Sequence, residues 1–206
     1  MRVFQHFVLG IIVRYKTSNS MEDGEDDSSK VIFNRVLWVF KPCIKDYQYC
    51  KSIVQLDDTF LTGKYCDTLL ISIAQDGNRN ISPLAFAIVK SGSKELWTWF
   101  LHYLRRYVTP QPNLCIISDR GTSLLATLRS ERVRWIGSCV TFTYYIYHIA
   151  SNFNKEFKNV DLKKTTTYWL DQIPKSKWTQ ANDEGKCYGH MTTNIVECMN
   201  SILKEA

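Results

Sequence analysis

The sequence predicts an α/β domain built on a five-stranded mixed sheet flanked by helices. Two observations predict it. Three apolar, β-branched runs follow one another closely between residues 51 and 89, as in an antiparallel meander. Two further short apolar runs then alternate with segments of helical periodicity, the pattern that returns a chain to the same sheet through crossover helices.

Taken in order, residues 17–30 (TSNSMEDGEDDSSK) are acidic, polar and nearly free of large apolar side chains, so residues 1–30 read as an N-terminal arm and a mobile acidic linker. The folded body is expected from Val31 to Ala206. Its strands are KSIVQLDDTF, DTLLISIAQ and ISPLAFAIV. Asp76-Gly77-Asn78-Arg79-Asn80, between the last two, has hairpin-turn chemistry. In SKELWTWFLHYLRRYV, Leu96, Trp97, Phe100, Leu101, Leu104 and Val108 recur at three- and four-residue spacings. They form one face of a helix that Ser93 can cap and that Pro110 and Pro112 end. NLCIISD is a short buried strand closed by a charge, and Gly121 to Ser130 reads as a short helix. SCVTFTYYIY, residues 138–147, is the fifth strand, followed by a helix from His148 to about Lys158. Residues 159–191 are polar and irregular. In the last segment Ile195, Val196, Met199, Ile202 and Leu203 share a helical face.

Composition narrows the function classes. Hydrophobic residues at 45% and charged residues at 22% fit an ordinary globular protein and neither the disordered nor the membrane class. The run from Phe7 to Val13 is too short to cross a bilayer, and neither a membrane partner nor a secretory signal is expected. Seven cysteines, odd in number and scattered, do not read as a disulfide framework, which suits a reducing compartment. The net charge of +6 lies mostly in the second half: residues 94–206 carry 15 Lys/Arg against 10 Asp/Glu. Such an excess suits a polyanion, although a solvated surface explains it about as well.

Three carboxylates stand where chemistry is possible: Asp57 at the end of the first expected strand, Asp119 at the end of the fourth, and Glu197 in the last helix. Converging carboxylates offer the oxygen ligands that hard divalent cations take, and so make a site for phosphoryl transfer. Each also has a plainer reading. A strand-end Asp is often turn chemistry, and Asn194 to Glu197 loosely fits a helix capping box.

The words VQLDDTFLTGKY, LLISIAQDGNRNISPLAFAIV, WTWFLHYLRRYVTPQPNLCIISDR, HIASNFNKEFK and KWTQANDEGKCYGHMTTNIVECMNSILK, in that order, resemble the transposase domain of plant Mutator-like elements over residues 32 to 206. The resemblance implies an RNase H-like fold and an Asp, Asp, Glu site carried here by Asp57, Asp119 and Glu197. It implies Mg²⁺ or Mn²⁺ as cofactor, and cleavage and joining of DNA, with transposon ends and target DNA as partners. It also implies action in the nucleus, homo-oligomerisation as an option, and no small-molecule substrate. Lys155, Lys158, Lys163, Lys164, Lys175 and Lys177, with Trp169 and Trp178 among them, would then grip a DNA backbone and stack on bases; a solvated surface with a small satellite core is the plainer alternative.

The chain departs from the family in four places. Asp58 stands where the family usually has Gly, and Tyr145-Ile146-Tyr147-His148 lacks the Cys of its Cys-x-x-His. The helical insertion before Glu197, at about residues 150–191, is short. No N-terminal DNA-binding domain or C-terminal zinc knuckle is seen, so a truncated or degenerate copy is expected. Cys187-Tyr188-Gly189-His190 has no second pair at zinc-finger spacing and is not expected to bind zinc. Impaired transposition is therefore one expectation, and a catalytically inactive DNA-binding or regulatory protein the other.

Overall fold

The computed structural model describes residues 10–22, 25–62, 66–78, 80–130, 133, 135, 140–157 and 165–179. Its strands are β1 (Ile12–Glu22), β2 (Glu25–Val39), β3 (Ile53–Phe60), β4 (Thr68–Gln75), β5 (Ile81–Val89), β6 (Cys115–Ser118) and β7 (Thr141–Tyr144). Its helices are α1 (Lys41–Asp46), α2 (Lys94–Tyr107), α3 (Thr122–Leu128), α4 (Ile146–Glu156) and α5 (Thr165–Asp171). The strands form one mixed sheet in the order β1-β2-β5-β4-β3-β6-β7.

Connection length decides direction. β3, β4 and β5 are joined by short links and pair antiparallel, whereas β6 and β7 return through α2 and α3 and so run parallel to β3 and to each other. The β4–β5 turn is held by Asp76, whose Oδ1 accepts the backbone N–H groups of Asn78 and Asn80 at 2.8 and 2.7 Å. The Ser93 Oγ accepts the N–H of Leu96 at 3.4 Å and caps α2. From there Trp97, Phe100, Leu101 and Leu104 enter the main core, against Val54 and Leu56 of β3, Leu70 of β4 and Ile116 of β6. β4, central in the sheet, is buried along its whole length.

The sheet has seven strands where five are expected, because β1 and the start of β2 lie in the segment read as arm and linker, and the rest of β2, in the expected body, is not among the expected strands. The linker's polar composition offers little to bury, but a hairpin ladder satisfies backbone groups whatever the side chains. The inner end is anchored by apolar contacts among Ile11, Val13, Val36 and Trp38. Pairing of Arg35 to Trp38 with β5 completes the join. Two cations clamp this hairpin to α2. Arg14 donates to the Tyr107 hydroxyl at 2.6 Å, and Arg35 pairs with Glu95 at 3.1 Å while lying 5.0 Å from the Trp99 ring centroid.

Smaller differences follow the same logic. The fifth strand expected over 138–147 is shorter, β7, and α4 starts before His148. α5 forms inside the stretch read as irregular. Cys43 and Cys50 are free as expected, whereas Cys115, buried between β3 and β7, is disulfide-bonded. Among the described residues no helix is long and apolar enough to cross a membrane.

Candidate active site

Alternation along β3 sets the site. Val54 and Leu56 point into the core beneath α2, and Ile53 into a second cluster on the other face with Ile71, Ile117 and Tyr145. Asp57 stands opposite Ile71 and Asp58 opposite Leu70 in the antiparallel register, so the two adjacent aspartates leave the strand on opposite faces. Asp57 is 7% exposed and its Oδ1 accepts the N–H of Asp58 at 3.0 Å.

Asp119 reaches the same place from β6. The parallel ladder ends with Leu56 beside Ser118, which leaves Asp57 and Asp119 as the next residues on neighbouring strands, at the same carboxyl end. The turn after β6 fixes the second carboxylate: its Oδ1 accepts the N–H of Gly121 at 3.0 Å, and a Cβ at Gly121 would lie 3.0 Å from that oxygen.

Asp58 completes a crowded edge. A Cβ at Gly92, in the link from β5 to α2, would meet the Asp58 Oδ2 at 2.5 Å, so the carboxylate occupies space that only glycine leaves open. Burial, and then the negative charge of Asp119, push the Asp58 carboxyl up to about 6, against a lowering backbone hydrogen bond. Electrostatically, then, Asp58 and Asp119 share one environment. The sequence shows Asp58 only as a doubled Asp in VQLDDTF; its place beneath α2 depends on the tertiary fold.

β7 brings a third element to this end of the sheet. The N–H of Tyr145 bonds the Ser118 carbonyl at 3.0 Å, and His148, in the first turn of α4, lies with its ring 5.5 Å from that of Tyr145. Glu197, Lys158, Lys163, Lys164 and the Cys187 to His190 run lie outside the described residues. Among the described residues no three His, Cys, Asp or Glu side chains are grouped closely enough to hold a metal ion.

The remaining lysines stand apart. Lys155 is exposed at the end of α4 and Lys175 is exposed after α5, whereas Lys177 is half-buried with its Nζ 5.9 Å from the Phe142 ring centroid. Trp169 and Trp178, expected to stack on bases, are spent on packing. Both join a satellite cluster around Tyr144, Ile149 and Ile173, and the Trp178 indole donates to the Ile173 carbonyl at 3.1 Å. The Arg120 guanidinium, next to Asp119, lies 5.7 Å from the Trp169 ring centroid. Its signal in sequence was the Arg of IISDR.

Residues 53–152, from the first residue of β3 into α4, match the family model of the MULE transposase domain. The chain carries a MULE transposase domain. Its matched span holds Asp57, Asp58, Asp119 and His148, while the β1–β2 hairpin and α5 lie outside it. No curated protein matches the chain. Among solved structures, the chain is similar to a chain of the simian T-cell lymphotropic virus intasome solved by cryo-electron microscopy in complex with the PP2A regulatory subunit B56 gamma. The identity is 11% and the TM-score 0.32, over 62% of this chain and 48% of that one, so the chain spans about half of that chain's length.

Proposed function

We propose that this transposase domain cuts and rejoins DNA in the nucleus with an Asp, Asp, Glu site of Asp57, Asp119 and Glu197 on an RNase H-like sheet. The carrying observation is that Asp57 and Asp119 follow the last paired residues of adjacent parallel strands. An antiparallel trio, β5-β4-β3, continued by parallel β6 and β7, supports the RNase H-like reading.

The donor set suits a hard divalent cation, Mg²⁺ or Mn²⁺. Both groups offer carboxylate oxygens, and the raised proton affinity of Asp58 beside Asp119 marks an edge where negative charge is in excess. Bound there, such an ion would supply activation of water and stabilisation of the leaving oxygen at phosphorus. The chain's own part is to hold the two carboxylates. Asp57 is fixed by the sheet and by the Asp58 amide, Asp119 by the Gly121 amide, and Arg120 stands next to Asp119 as a cation for phosphate. Transposon ends and target DNA are the proposed substrates.

A plasmid-nicking assay with Mg²⁺ or Mn²⁺ tests this. Nicking by the wild-type chain that is lost in Asp57→Asn and Asp119→Asn supports the reaction. DNA binding without nicking would replace it by a purely DNA-binding role.

A further inference from the structure

β6, α3 and β7 enclose a cavity of about 270 Å³ with an unusual combination of walls. Ile116, Trp135, Phe142 and Tyr144 give it an apolar, aromatic lining, and Arg129 and Lys177 are its charged residues, with no acid among the lining. Trp135 is 1% exposed and Tyr144 7%, so this wall is fixed by the core. Among the described residues neither cation makes a side-chain hydrogen bond or ion pair. The Lys177 Nζ lies 5.9 Å from the Phe142 ring centroid.

Arg129 is exposed and Lys177 half-buried, and among the described residues neither has an anionic partner beside the apolar cavity. Burial, and then the charge of Arg129, lower the proton affinity of Lys177, so the pair already repels. A ligand that brings one anionic group and one flat apolar body would relieve the repulsion and fill the space. The volume lies just below the ~300 Å³ at which small-ligand pockets begin, so it suits one nucleotide and excludes a duplex.

We propose that this cavity takes a single unpaired nucleotide of a DNA strand, its base against the partly exposed Phe142 and the edge of Tyr144 and its phosphate between Arg129 and Lys177. The proposal rests on DNA being the substrate, and it adds where an unpaired strand end would dock. Asp119 directly follows β6, the strand that carries Ile116, so the same element lines the cavity and ends at the candidate active site. Aromatic side chains stack on bases of any identity, so little sequence preference is expected at this point.

The test is fluorescence binding of a single strand with 2-aminopurine at its end, compared with the same strand carrying an abasic end and with free deoxyadenosine monophosphate. The full chain is used in buffer with chelator, so no chemistry is required. The base-bearing strand is expected to bind best and to change 2-aminopurine emission. Lys177→Gln and Arg129→Gln should each weaken it about tenfold, and Lys177→Arg should retain it, with circular dichroism confirming that each variant folds. Equal affinity for the abasic strand, no effect of either Gln variant, or no strand binding overturns the proposal. Tighter binding of the free mononucleotide than of the strand overturns the DNA source. Binding that is sensitive to Lys177→Gln, alongside absent nicking, leaves the pocket standing and removes only the proposed reaction.

Discussion

Asp58 is the residue whose burial and acidic neighbour tie the edge of the candidate site to stability. Folded, its carboxyl is pushed up to about 6, against 3.8 as an ordinary aspartate, so between those values the folded state holds more protons than the unfolded one. Stability therefore falls as pH rises through that window, and the full penalty stands above it. In metal-free buffer Asp58→Asn should raise the unfolding free energy measured in urea at pH 7.5 by on the order of 2 kcal/mol, and leave it nearly unchanged at pH 4. An equal effect at both pH values would mean that charge is not the cause. A second expectation concerns the neighbour. Gly92→Ala should cost about 1 kcal/mol, because its Cβ would strike the Asp58 carboxylate, and the cost should vanish in an Asp58→Gly background. Additive losses in denaturant melts would contradict that contact. Sequence words identified Asp57 and Asp119 as candidates because motif order carries position. They could not show that Asp58 faces the other side of the sheet, where only tertiary packing supplies Gly92.

Among elements, the β1–β2 hairpin is the one whose behaviour differs most from a composition-based expectation. Composition measures what a segment can bury, and most of this one buries little: Tyr15 is 59% exposed and Val31 61%. Its attachment comes from the apolar contacts at its inner end, from pairing with β5, and from Arg14 and Arg35, cations whose aromatic and carboxylate partners on α2 lie far along the chain. Hydrogen exchange should accordingly be slow at Val13 and Val36, near the clamp, and fast at Ser18 and Val31. Arg35→Ala should speed exchange in the inner part of β1 and β2 while β3 and β4 keep their protection. Uniform fast exchange over residues 12–39 would mean that the hairpin does not stay docked. The other elements were legible because their signal is local. The α2 stripe, its Ser93 cap and the Asp76 turn are each written within a few residues, and the structure has all three. β7 and α5 were misjudged at their limits or missed, since short segments beside a satellite core take their form from neighbours such as Tyr144 and Ile173.

For the whole molecule, charge sets how DNA would be met. Fifteen Lys/Arg against ten Asp/Glu in residues 94–206 predict binding that weakens steeply between low and moderate salt, with a log–log slope that shrinks by about one for each phosphate-contacting cation removed. Filter binding over a salt series checks this, and a flat series would exclude backbone contacts as the source of affinity. The strand order carries a further implication, for when the site comes into being. β3, β4 and β5 pair with near neighbours in the chain, whereas β3 meets β6 only after α2 has been laid down between them. Local hairpins close quickly, and a parallel pairing across a long loop must first meet the entropy of closing it. Asp57 thus emerges early on a strand with one partner, and its companion arrives with the slowest join in the sheet. A nascent or refolding chain would hold a formed meander, well protected from exchange, before it holds any pair of carboxylates at all.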